Sequence, residues 1–273
     1  MPIQGFICPL DENQVNIDFC IKSCISRCLE LPILLSLMEE REKKPGVFSV
    51  TELQSTPRII AWERTNPYWI DPYSMIWATF GTAFHAMLEK YGRGLQNTDN
   101  GERYTFEKDN YFEKEMVVAG EKVILRGTPD QYEWTRQELT DYKTLKWFWD
   151  LYYLMKGDWT SSNYALQLNI YRRMMFPDCK QMKIVALVKD WNRKIRNEKG
   201  IKPVETLLVP WIDDDVIDTH IYNSIAGILE ATKDITKARD CTEAERWKNN
   251  LRCKEFCVVA GGCPQWEKLK EEK

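Results

Sequence analysis

Apolar residues recur at helical intervals from about Ile17 to Glu42, and Pro32 is expected to divide this stretch into two helices. The charged run Glu39 to Lys44 closes it, and Pro45-Gly46 marks a stop and a boundary. Ser49 is placed to cap a short helix through Gln54, and Pro57 to open another running to about Trp62. A longer helix is expected over Tyr73 to Tyr91. From Tyr104 the period shortens to that of strands. The runs Tyr111 to Ala119, Lys122 to Trp134 and Glu138 to Thr144 read as an antiparallel meander. A helix over Asn163 to Phe176 follows, then strands over Met182 to Asp190 and around Thr206 to Pro210, and a helix over Asp213 to Arg239. This order predicts an α/β fold with a mixed central sheet flanked by helices. Three successive segments are expected: a cysteine-bearing helical N-terminal extension (1–46), a core (47–240) and a cysteine-rich C-terminal tail (241–273).

Composition narrows the class without fixing it. The 273 residues, 44% hydrophobic and 29% charged, are ordinary for a globular chain with a buried core. No apolar run reaches membrane-spanning length and the start lacks the pattern of a secretory signal, so a cytoplasmic protein with no membrane partner is expected. In that reducing setting nine cysteines point to metal ligation or burial before disulfides. The net charge of −3 gives no global attraction to nucleic acid, so any such surface must be local. One local excess of four positive charges spans Lys189 to Lys202, which suits either a phosphate backbone or a solvated hairpin tip.

The chemistry concentrates in four short motifs. Asp141 and Lys143, two apart on a strand, point to one face. A hairpin would bring Asp130, eleven residues upstream in Gly127-Thr128-Pro129-Asp130, beside them. Two carboxylates are hard oxygen ligands for Mg²⁺ or Mn²⁺, and a neighbouring ammonium can stabilise charge during phosphodiester hydrolysis. His85 ends Gly81-Thr82-Ala83-Phe84-His85 in an upstream helix, and Gln167 and Tyr171 share a face of a downstream one.

In this order, the motifs Gly-x-x-x-His, Gly-x-x-Asp, Asp-x-Lys and Gln-x-x-x-Tyr resemble those of the PD-(D/E)xK superfamily, in particular the RecB-like exonucleases, over roughly Ser49 to Asp190. The resemblance implies a restriction-endonuclease-like fold and a metal-dependent deoxyribonuclease acting on DNA ends. His85, Asp130 and Asp141 would ligate metal. Lys143 would be catalytic, and Gln167 and Tyr171 would position substrate or the lysine. DNA would be the partner, with a helicase or recombination protein supplying any unwinding. A nucleic-acid-binding module with a vestigial nuclease centre is the alternative.

Members of this family that carry an iron–sulfur cluster place three cysteines near the C-terminus and a fourth in Cys-Pro-Arg ahead of the His motif. Here Cys253, Cys257 and Cys263 follow C-x₃-C-x₅-C, but Thr56 stands in the Thr56-Pro57-Arg58 position. A fourth ligand would come from Cys241 or from an N-terminal cysteine, and an iron–sulfur cluster and Zn²⁺ are both compatible. Cys20, Cys24 and Cys28 recur every four residues. In an unbroken helix Cys20 and Cys28 would lie about 12 Å apart, so burial is expected for this set unless the helix is interrupted. The aromatic series Trp62, Tyr68, Trp69, Tyr73 and Trp77 suits core packing or stacking on unpaired bases.

Overall fold

A computed structural model describes residues 3–38, 43–92, 98, 101–147, 151–159 and 163–271. The expected helical and charged positions Glu39 to Glu42 lie outside the described residues. The fold is α/β, with mixed sheets accompanied by helices. Two compact units divide the chain: residues 1–45, 55–80 and 223–273 form one, and 46–54 and 81–222 the other. The sequence suggested successive segments; the contacts instead gather the two chain ends with residues 55–80.

In the first unit the N-terminal extension is not purely helical. It opens with β1 (Ile3–Ile7) and β2 (Gln14–Asn16), antiparallel to each other, with β4 (Tyr68–Ile70) joining β1 in parallel. Two short helices follow, α1 (Ile17–Lys22) and α2 (Leu31–Ser36). The chain breaks before Leu31, and Pro32 sits in the first turn of α2, where its missing N–H costs nothing. Phe6, Leu34, Leu37 and Ile70 form the buried centre of this sheet and its helices. Farther along, α3 (Pro57–Thr65) begins with Thr56 as its cap, whose hydroxyl accepts from the Ile59 amide.

The second unit holds a five-stranded sheet in the order β11-β10-β9-β8-β5 and a three-stranded sheet in the order β3-β7-β6. Their strands are β3 (Val47–Ser49), β5 (Tyr104–Phe106), β6 (Phe112–Val118), β7 (Glu121–Gly127), β8 (Gln131–Glu133), β9 (Glu138–Leu145), β10 (Gln181–Val188) and β11 (Val204–Leu208). The expected continuous strand from Lys122 to Trp134 is two strands in two sheets. Thr128-Pro129-Asp130 interrupts it, because proline donates no ladder hydrogen bond and disfavours a continued register. The meander is therefore two hairpins, β6–β7 and β8–β9.

Between the parallel neighbours β9 and β10 the chain passes through α5 (Tyr152–Met155) and α6 (Tyr164–Met175), the long crossover that parallel pairing requires. Every second residue of β10 is buried, from Met182 through Val188, and Leu168 and Ile170 of α6 are fully buried. The basic stretch lies in the connection between the antiparallel strands β10 and β11, at the solvated end of that hairpin, and part of it is helical. Arg193–Lys199 forms a short exposed helix, α7, capped by Asn192 and ended by Gly200 in the left-handed region (φ 71°).

Ser49 lies in β3, and its hydroxyl accepts from the amide of Glu52, which begins a single 3₁₀ turn through Gln54. Two long helices, α4 (Pro72–Gly92) and α8 (Asp214–Lys233), contribute residues to both units.

Candidate metal centre

The site is built on the second unit. On α4, Gly81 to His85 falls within one helical run, which presents His85 from a rigid element. Asp130 ends the interruption between β7 and β8, and its Oδ1 lies 3.4 Å from His85 Nδ1. Its other oxygen, Oδ2, accepts from the Tyr142 amide at 2.7 Å, so the β8–β9 hairpin itself fixes the carboxylate. Asn110, fully buried, donates to the carbonyls of Pro129 and Thr105, both at 3.1 Å, and holds the interruption in shape.

A further ligand candidate, beyond His85, Asp130 and Asp141, was absent from every motif. Glu107 Oε1 lies 3.3 Å from His85 Nδ1, and His85, Glu107 and Asp130 offer ligand atoms all within 4.8 Å of one another. Glu107 follows β5 with a left-handed backbone (φ 38°), held there by its amide donating to the Asp130 carbonyl at 2.8 Å. Such a backbone in a non-glycine residue is the only local mark of its role. Nothing in the one-dimensional spacing carries it.

Asp141 and Lys143 project from the same face of β9, as their alternation requires. Lys143 Nζ donates to Asp141 Oδ1 at 2.9 Å and to Gln167 Oε1 at 3.2 Å, and Gln167 Nε2 donates to the Tyr171 hydroxyl at 3.4 Å. Tyr164 lies beneath the ammonium, 5.4 Å from ring centre to Nζ. Asp141, Lys143, Gln167 and Tyr171 thus form one chain across β9 and α6. Asp141 belongs to this chain more than to the His85 group: the three-residue set within 4.8 Å does not include it.

Burial pushes the Asp141 carboxyl above the usual carboxylate range, with Lys143 opposing and Asp130 adding to the shift. Burial works against the charge on Lys143 too, yet Asp141 and Asp130 outweigh it and hold the ammonium above the ordinary lysine value. One ammonium does not balance two adjacent carboxylates. Asp141 Oδ2 is buried, stands 2.7 Å from Lys143 Nζ, and has no partner in hydrogen-bond geometry. Burial also disfavours the His85 imidazolium, but hydrogen bonds to Asp130 and Glu107 prevail and raise its pKa to about 10.

These observations fit a divalent cation. Two carboxylates offer hard oxygen donors and the imidazole a borderline nitrogen, with Asp141 beyond this set, which suits a divalent cation without selecting one, and the proton on His85 holds the place of a positive charge between Glu107 and Asp130. In the metal-free chain that raised pKa stabilises the fold fully below about 6.5, and the gain disappears as pH rises through about 10. A cation reverses the requirement, because only neutral imidazole ligates. Mn²⁺ binding near pH 8 is therefore expected to release roughly one proton per chain. Calorimetry in buffers of different ionisation enthalpy reads this directly; binding without proton release would remove His85 from the ligand set.

The glycine of Gly-x-x-Asp has a packing reason. A Cβ at Gly127 would meet Tyr171 Cε1 at 2.7 Å and Phe112 Cε1 at 2.8 Å. Gly127→Ala is expected to destabilise the chain by about 1–3 kcal/mol and to displace Tyr171. Denaturant unfolding checks the first effect, and an unchanged midpoint would count against this packing.

The C-terminal cysteines lie in the first unit. Cys241, Cys253, Cys257 and Cys263 line one small cavity of about 20 Å³, flanked by Arg58, Arg246 and Arg252. Buried Arg58 binds the carbonyls of Ala238 and Arg239 and, at 2.8 Å, Asp240 Oδ1, which fixes the segment leading to Cys241. The Cys241 thiol then lies 3.5 Å from Thr56 Oγ1. Cys241 accordingly occupies the neighbourhood of position 56, where the resemblance leads one to expect a cysteine. Of the aromatic series, Trp62, Tyr68, Trp69 and Tyr73 line a larger cleft of about 630 Å³ in the same unit, which shares Cys253 and Cys257 with the cysteine cavity and also has Cys8 on its wall. Tyr68 is buried, whereas Tyr73 and Trp77 are largely exposed.

No protein-family model matches the chain, and no curated protein does. Among solved structures, the crystal structure of SSO0001 is similar, with a TM-score of 0.53 and 18% identity over 85% of this chain and 94% of that one. At that identity the likeness is one of fold. Among the described residues no helix is long and apolar enough to cross a membrane.

Proposed function

We propose that this protein is a metal-dependent deoxyribonuclease of the PD-(D/E)xK superfamily, related to the RecB-like exonucleases, which hydrolyses phosphodiester bonds at DNA ends. The observation that carries this reading is the approach of His85, Glu107 and Asp130 to one another beside the Asp141–Lys143–Gln167 chain. His85, Glu107, Asp130 and Asp141 would hold Mg²⁺ or Mn²⁺, which when bound supplies Lewis-acid activation of the phosphate and of a water.

The protein side chains do the rest. Asp141 and Gln167 hold Lys143 charged and aimed, so its ammonium is available to stabilise the developing negative charge without reorganisation. Tyr171, through Gln167, keeps that amide from rotating. Asp130 is fixed by the Tyr142 amide and cannot swing away when His85 loses its proton. Exonuclease rather than endonuclease action rests on the family resemblance.

The C-terminal cysteines suit a four-thiolate centre, with Cys241 as the fourth ligand in place of the family's cysteine before Pro57-Arg58. An iron–sulfur cluster and Zn²⁺ are both compatible occupants.

Incubation of the purified chain with linear and covalently closed DNA in Mn²⁺ or Mg²⁺ tests the activity. Nucleotide release from linear DNA only, abolished by chelator, is expected. DNA that stays intact under every metal condition would overturn the proposal.

A further inference from the structure

Two turns leave the five-stranded sheet of the second unit at the same end, and neither belongs to the metal site. Strands β9 and β10 run parallel and in register as far as Leu145 and Val188, and the Lys189 amide still donates to the Leu145 carbonyl at 2.8 Å. Just beyond, the Trp147 amide donates to Asp190 Oδ1, also at 2.8 Å, which ties the chain leaving β9 to the chain leaving β10. Lys143 stands two residues before the end of β9, so this edge begins about 7 Å from it at the ordinary rise of a strand.

The two turns show solvent different chemistries. On the β9 side Leu151 and Leu154 are buried and anchor α5, while Tyr152 and Tyr153 between them are 39% and 40% exposed. The rings of Trp147 and Tyr152 meet edge to face at 5.6 Å and those of Tyr152 and Tyr153 at 5.4 Å, with the Lys156 ammonium 5.7 Å from the Tyr152 ring centre. On the β10 side α7 has no buried residue, and Trp191 Nε1 donates to the Ile201 carbonyl at 2.9 Å, which closes the loop around that helix. Arg193 and Arg196 are exposed and three apart, hence neighbours on the helix surface. Of the two carboxylates in this stretch, Glu198 lies 3.9 Å from Lys194 and Asp190 accepts from the Trp147 amide. The stretch thus stays positive in a chain whose net charge is −3.

We propose that these two turns together form a binding strip for an unpaired DNA strand, with bases stacking on Trp147, Tyr152 and Tyr153 and phosphates running along Arg193 and Arg196, and that the strip leads the strand to Lys143. The combination of chemistries selects the ligand. A duplex keeps its base faces stacked on one another and offers the basic helix its phosphates alone, so the exposed rings contribute nothing to holding it. An unpaired strand presents phosphate charge and open base faces together, which is what a basic surface beside exposed aromatic rings binds. Delivery to Lys143 rests on the nuclease reading, whereas the strip itself does not.

A labelled oligodeoxythymidylate of about 15 nucleotides, long enough for a single-strand site of ordinary size, is titrated with the full chain in chelator, so that anisotropy reads binding without cleavage. Trp147→Ala/Tyr152→Ala is expected to weaken that binding about tenfold or more and to leave a blunt duplex of the same length bound within about twofold. Arg193→Gln/Arg196→Gln is expected to weaken both DNAs and to reduce the log–log salt slope for the single strand by about 1.4. Trp147→Phe/Tyr152→Phe keeps both rings and should bind nearly as the unaltered chain does, which separates lost stacking from lost fold. Unchanged single-strand affinity in the alanine variant overturns the proposal, as does an abasic strand bound as tightly as the base-bearing one, or RNA of matching sequence bound more tightly than DNA. A chain that binds in this way but cleaves nothing with Mn²⁺ keeps the strip and overturns the nuclease reading alone.

Photocrosslinking of an oligonucleotide carrying iodinated uracil to the unmutated chain, mapped by mass spectrometry, needs no variant to fold. Adducts on Trp147, Tyr152 or Tyr153 are expected; adducts confined to other residues overturn the strip.

Discussion

Lys143→Ala is expected to lower the rate of DNA cleavage by about 10²–10⁴-fold while leaving Mn²⁺ affinity within a few-fold of the unaltered chain. The split follows from the geometry. Lys143 contacts Asp141 and Gln167, whereas the three groups that approach within 4.8 Å are His85, Glu107 and Asp130. Removing the ammonium leaves those three in place. It also leaves the Asp141 carboxyl buried without its counter-charge, which raises its pKa further and moves the remaining activity toward higher pH. Single-turnover cleavage across pH, paired with Mn²⁺ titration, measures both effects. Cleavage at the unaltered rate would take Lys143 out of the chemistry, and a collapse of metal binding would make it a structural support instead.

Asp130→Asn is expected to act in the opposite sense, weakening metal binding by about 100-fold or more and abolishing cleavage at ordinary metal concentrations. Asparagine keeps the size and one oxygen for the Tyr142 amide, so the hairpin should survive. What disappears is the negative charge that faces His85 at 3.4 Å. The His85 imidazolium then loses its first supporting partner and its pKa should fall from about 10. Titration of the His85 ring by NMR reads that fall independently of catalysis. Cleavage restored by high Mn²⁺ would agree with a ligand role, and unchanged metal affinity would contradict it.

The helices and the face-sharing pairs were legible in sequence because each depends on local periodicity. Pro72–Gly92 and Tyr164–Met175 match the expected helices to within a residue or so, and Asp141 with Lys143 and Gln167 with Tyr171 follow from strand and helix geometry alone. Asp130 reached His85 as expected, though by a different route: the strand carrying it breaks at Pro129 and changes sheet. Short strands such as β1, β2, β3 and β4 escaped notice because their three to five residues carry too little alternation to register, and β4 meets β1 only over long range. Glu107 was invisible for a related reason. Its approach to the site depends on an unusual backbone angle and a bond to the Asp130 carbonyl, both products of the assembled sheet. The grouping of both chain ends in one unit is likewise a tertiary fact, and it changes how the cysteines are counted: two sets in one unit, rather than a buried helix and a separate tail.

A structure of the chain soaked in Mn²⁺, with anomalous difference density, bears on the central claim most directly. A peak within coordination distance of His85 Nδ1 and of the Glu107 and Asp130 carboxylates, with Asp141 directly ligated or joined through water, is the expected result. Absence of a peak there at saturating Mn²⁺, with His85 still hydrogen-bonded to both carboxylates, would contradict it.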